Sequence, residues 1–212
     1  MRFRNLILED GRRRDVIRAV VKDIIKLYKD EDEGEFYLPN YYDDENDFYE
    51  FLKLGETFVV EVVLEQNEDL ESFKVNADYY QNDDIIGVTI EYNPNNKTRM
   101  TYDLVGELNE VISHEIRHIN QKVKGTFDLD VPEEKDPYKY YIQPHELDAQ
   151  VFGFKRLAKI TKTPIDVVVK RWFKTHGDVH RLTDEQAQDV ISKILNYKKW
   201  EFHHNIQLKL KK

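Results

Sequence analysis

The 212-residue chain contains no cysteine, so a disulfide-stapled scaffold is excluded and the fold must rest on a packed core. It has no apolar run long enough to cross a membrane, and no membrane partner is expected. Near its start, Arg2, Arg4 and the charged stretch from Glu9 to Arg14 leave no hydrophobic region of the signal-peptide kind. An intracellular location follows as the expectation: cytoplasm, or host cytoplasm if the chain is virus-encoded. Basic charge is in deficit, with 32 Lys and Arg against 41 Asp and Glu and a net charge of -9, which opposes non-specific nucleic-acid binding. Repeats and long flexible linkers are also missing. With 40% hydrophobic residues, this length predicts a single domain over 1–212, with a helix-and-sheet portion over 1–100 and a helical portion over 101–212.

What the chain does contain is His114-Glu115-Ile116-Arg117-His118, an HExxH sequence inside a long amphipathic segment. Residues four apart share a helical face, so both imidazoles can reach one cation while Glu115 stands beside them as a general base. Stepping about 100° per residue gathers Leu104, Leu108, Val111, Ile112, Ile116 and Ile119 on one arc, which predicts the core face. Asn109, Glu110, Ser113, Arg117, Asn120 and Gln121 fall on the opposite, polar arc. His114, Glu115 and His118 lie at the edge of the apolar arc and within it, so they are expected to point inward. Two buried imidazoles and a carboxylate need partners, because each unsatisfied polar group costs about 1–3 kcal/mol, and one metal ion would satisfy all three.

A catalytic zinc site commonly uses three protein ligands, so one more His, Asp or Glu is expected downstream. The segment Tyr140-Tyr141-Ile142-Gln143-Pro144-His145-Glu146-Leu147-Asp148-Ala149 supplies candidates. Pro144 suits the first turn of a helix running to about Ile160, with Glu146 in its opening turns. Glu146, Ala149, Gly153 and Leu157 share one side of that helix. The small Ala149 and Gly153 would permit close packing against the HExxH helix. His145 and Asp148 point elsewhere on the wheel and are the rival donors.

HExxH followed by Glu146-x-x-Ala149-x-x-Phe152 resembles the gluzincin branch of the zincin metallopeptidases. Two short-spaced groups are similar: the ImmA/IrrE-type peptidases and, more closely, small phage-encoded peptidase-like proteins with a Tyr-Tyr-x-x-Pro-x-Glu segment after HExxH. The resemblance covers roughly residues 84–160. It implies His114, His118 and Glu146 as ligands of one Zn2+ per chain and Glu115 as general base and acid, acting on a peptide or protein substrate. Arg117 stands where such enzymes often carry a small residue, and the Asn-Glu-x-x-Ser-Asp motif of thermolysin-type enzymes is absent.

Elsewhere, Arg13 to Lys29 predicts an amphipathic helix, followed by a polar, Tyr-rich connection. Strands are expected over Glu56 to Glu65, Glu71 to Tyr80 and Asp84 to Tyr92; a strand before the HExxH helix resembles the zincin order, which implies that the last is an edge strand binding extended peptide, an ordinary strand being the alternative. Thr163-Pro164 and Thr183-Asp184-Glu185 look like helix starts. The class is α+β: a zincin-like domain with a small, mostly antiparallel sheet, an HExxH helix and a helical C-terminal part.

The segment from Gly125 to Tyr140 is expected to be a loop between the ligand helices. Oxyanion stabilisation would fall to Tyr140, Tyr141, His176 or His180, although Gly177 argues against one continuous helix through the two histidines. His203 and His204 have no assigned role. The acidic runs Asp30 to Glu35 and Asp43 to Glu45 are expected to be solvated or to select a basic peptide, and the basic last third to be solvated or to dock an acidic partner. The motif thus points to a zinc metallopeptidase. A non-catalytic zincin-fold protein holding metal or a peptide partner is the alternative, and a helical domain without metal a third reading.

Overall fold

The computed structural model describes residues 2–38, 58–127, 134–176 and 181–210. The chain divides into two compact units, Met1–Thr126 and Phe127–Lys212. Among the described residues no helix is long and apolar enough to cross a membrane.

The first unit contains α1 (Arg2–Asp30), β1 (Gly34–Leu38), β2 (Val59–Gln66), β3 (Phe73–Tyr80), β4 (Ile85–Tyr92) and α2 (Lys97–Lys124). The sheet order is β1-β2-β4-β3, with β2 and β4 parallel and the two outer pairings antiparallel. Alternation dictates which face is dry: Val60, Val62 and Leu64 lie beside Ile86, Val88 and Ile90, and all six are buried. Val16, Ile17, Val20, Ile24 and Tyr28 of α1 are buried, at the spacing the apolar period requires. The two helices pack on each other, and α2 also packs along β3.

Two expectations are corrected. Part of the acidic, Tyr-rich connection is a strand, because Phe36 and Leu38 alternate with exposed Glu35 and Tyr37 and pair in register with Val62 and Val60. The strand preceding the metal helix, β4, is interior, since β2 and β3 occupy both its edges; β3, which comes earlier in the chain, is the edge strand beyond it. In β4 the β-branched residues Ile85, Ile86, Val88, Thr89 and Ile90 suit a strand paired on both sides.

Two polar hubs fix where α2 begins. The Asn93 side chain donates to Glu68 O at 2.9 Å and Leu70 O at 2.8 Å, and accepts from Asn95 N at 2.9 Å, tying the β2–β3 connection to the turn before α2. Lys97 Nζ reaches Glu31 O at 2.6 Å and the Asp32 carboxylate at 3.1 Å. The same ammonium lies over the Tyr28 and Tyr92 rings at 5.4 and 5.2 Å from their centroids. Burial, with Tyr92 adding, pushes the Tyr28 hydroxyl up to about 12.

The second unit is helical: α3 (Pro137–Tyr141), α4 (Pro144–Thr161), α5 (Ile165–His176) and α6 (Asp184–Leu210). A short helix, α3, therefore lies in the stretch expected to be loop. The core comprises Tyr141, Val151, Phe154, Val168, Val169, Phe173, Val190, Ile191 and Ile194, joined by edge-to-face rings such as Tyr141 on Phe173. The helix starts follow local chemistry. Asp136 caps α3 by accepting from Tyr138 N and Lys139 N, and Pro144 occupies the first turn of α4. At α6, Gln186 N donates to Thr183 Oγ1 at 3.2 Å while Thr183 N donates to Gln186 Oε1 at 2.9 Å, a reciprocal capping box. Helix α5 stops at His176, before Gly177.

Candidate metal centre

Helix α2 places His114 and His118 one turn apart with their Nε2 atoms 3.0 Å from each other and their rings edge to face at 4.8 Å. The other ring nitrogen of His118, Nδ1, lies 2.9 Å from Gln121 Oε1. A carbonyl oxygen only accepts, so this contact places the proton on Nδ1 and leaves a lone pair on Nε2, the form in which imidazole binds metal. Two nitrogens of a tetrahedral zinc site stand about 3.3 Å apart, close to the spacing observed. Glu115 Oε1 is 3.9 Å from His114 Nε2, and the Glu115 side chain is buried. Two ring nitrogens 3.0 Å apart with a buried carboxylate beside them are a donor set suited to a divalent cation.

The polar arc of α2 is not solvated as its sequence suggests: Asn109, Glu110, Ser113, Asn120 and Gln121 are all buried. The helix itself reduces the cost. Asn109 Nδ2 donates to Val105 O at 2.8 Å, Ser113 Oγ to Asn109 O at 2.5 Å and Asn120 Nδ2 to Ile116 O at 2.7 Å, each bonding back to its own helix four residues earlier. Burial pushes the Glu110 carboxyl up to about 8, with Glu107 and Glu115 adding to the rise. Gln121, which the wheel put on the polar arc, is buried against His118; its position three residues after that histidine was the available signal.

In the second unit, Glu146 lies in the first turn of α4, where the helix dipole favours a carboxylate, and its side chain is buried. His145 Nε2 stands 3.5 Å from Glu146 Oε1, so this rival donor sits against the carboxylate. Asp148 and Ala149 are buried as well. His114, His118 and Glu146 each offer one ligand atom of a kind that could hold a metal ion.

Of the residues expected to stabilise an oxyanion, Tyr141 is a ring of the second unit's core, whereas Tyr140 is 38% exposed. His176 ends α5, its side chain outside the described residues, and His180 lies outside them altogether. His203 and His204 belong to α6, and nothing of their side chains is described. No protein family, curated protein or solved structure matches the chain.

Proposed function

We propose that the chain is a zinc-dependent metallopeptidase of the zincin type, with His114, His118 and Glu146 holding one Zn2+ and Glu115 acting as general base. The observation that carries this reading is the pair of Nε2 atoms 3.0 Å apart on α2, with the Glu115 carboxylate beside them. Glu146 offers a buried carboxylate as the third ligand, which is the role the resemblance to the gluzincins implies for it. The set of two imidazoles and a carboxylate leaves a fourth position open, as a catalytic site requires. Zinc bound there supplies Lewis acidity, which makes water more acidic and polarises a carbonyl.

The protein's own groups do the rest. Gln121 holds the His118 ring in its ligand tautomer. Glu115 takes a proton from the attacking water and returns it to the leaving amine, so one buried carboxylate serves as base and then as acid. An extended peptide is accepted by strand addition at β3, the edge strand against which α2 packs.

The test is elemental analysis of purified wild type beside His118→Ala and Glu146→Ala, with peptide hydrolysis assayed in Glu115→Gln. The expected outcome is about one zinc per chain, lost in both ligand variants, and a Glu115→Gln protein that keeps zinc and loses turnover. Absence of metal after zinc is supplied would sink the reading. Zinc without hydrolysis in any variant, wild type included, would favour a metal-binding scaffold.

A further inference from the structure

Asn109, Ser113 and Asn120 of α2 are buried and bond within their own helix, but α4 contains a buried polar side chain that does not. Gln150 is only 5% exposed, and neither its carboxamide nitrogen nor its carboxamide oxygen has a hydrogen-bond partner among the described residues. Unlike Asn109 and Asn120, it does not turn back onto the carbonyl four residues earlier. It stands one turn beyond Glu146, which puts both side chains on one face of α4. A buried amide with two donors and an acceptor unmet is costly, and such groups mark places where a ligand completes the bonding.

We infer that Gln150 is a substrate-binding residue whose carboxamide pairs with a peptide group of a polypeptide chain bound at the Glu146 site. The inference rests on the metallopeptidase reading. A carboxamide carries no charge and is a weak metal donor, so it adds little to a zinc site. It presents one N–H and one C=O side by side, the complement of a backbone peptide group, and pairing would satisfy both of its unmet atoms. It therefore recognises main chain, and this subsite discriminates little between side chains. Sites built to hydrogen-bond a substrate group reject ligands that lack it, because the protein's buried polar atoms are then left bare.

The experiment compares two zinc-directed probes on the zinc-loaded protein: acetohydroxamate, which has no peptide group, and an N-acyl dipeptide hydroxamate, which does. Gln150→Met keeps the side chain's length and removes its donors and acceptor; Gln150→Leu is the second variant, and thermal melting and zinc content are recorded for both. The dipeptide probe is expected to bind each variant about tenfold more weakly than wild type, equivalent to one lost hydrogen-bonded contact, with acetohydroxamate binding and zinc content unchanged. Equal weakening of both probes, or lost zinc, would overturn the inference by placing the effect on the metal. Unchanged dipeptide binding, or no advantage of the dipeptide probe over acetohydroxamate in wild type, would also overturn it while leaving the metal centre standing. A wild-type protein that binds no zinc fails the reading itself, and the inference with it.

Discussion

At the scale of single residues, the centre depends on side chains that touch no substrate. Gln121 fixes which nitrogen of His118 carries the proton, and second-shell partners of this kind commonly contribute about 10–100-fold to metal affinity. Gln121→Leu should therefore hold zinc about 10–100-fold more weakly in a competition titration against a chromophoric chelator, with its circular dichroism unchanged. Equal affinity would mean that His118 needs no orienter. Glu110 carries a second expectation. Its carboxyl is raised from 4.5 to about 8, so the folded state binds its proton more tightly than the unfolded chain does. Its contribution is fully present below the ordinary carboxylate value and is lost as pH rises toward 8. With a chelator present, Glu110→Gln should match wild type below about pH 4.5 and melt at a higher temperature above about pH 8. Parallel melting curves across that window would show that Glu110 ionises without penalty.

At the scale of elements, a helix start and a strand position are settled by contacts far along the chain. Asn93 links the backbone of residues 68 and 70 to the turn that launches α2 through three hydrogen bonds. Asn93→Ala removes the donors to the carbonyls of residues 68 and 70 and should destabilise the first unit by about 2 kcal/mol, read from urea unfolding monitored by circular dichroism. A change under about 0.5 kcal/mol would mean that water replaces the amide. The strands themselves were legible, because Val59–Gln66 and Phe73–Tyr80 follow the period of two set by a half-buried sheet. Their spatial order was not. That β4 is interior and β3 is the edge follows from pairings between segments whose local sequences do not encode their neighbours. The strand Gly34–Leu38 was hidden by the acidic residues around it, and becomes one through its register with β2.

At the scale of the whole molecule, the proposed ligands are two residues of α2 and one of α4. A metal that binds only the native state stabilises it by mass action, about 2.7 kcal/mol when free metal stands at a hundred times its dissociation constant. Chelation should therefore lower the thermal midpoint of wild type and leave that of His118→Ala unmoved. An unchanged wild-type midpoint would mean that the fold draws no stability from metal.

The sequence alone determined what depends on near neighbours. The HExxH spacing puts two imidazoles on one helical face, Pro144 and Thr183-Asp184-Glu185 start helices, and alternation marks the strands. Those features are legible because helix period, capping and pleat are set within a few residues. Only the tertiary structure decided that most of the polar arc of α2 is buried, that Gln121 lies against His118 Nδ1, that β3 rather than β4 is the edge, and that Gln150 is enclosed without a partner among the described residues. Burial and partner choice belong to segments brought together from distant parts of the chain, so a helical wheel reports which side is apolar without reporting what covers the other side.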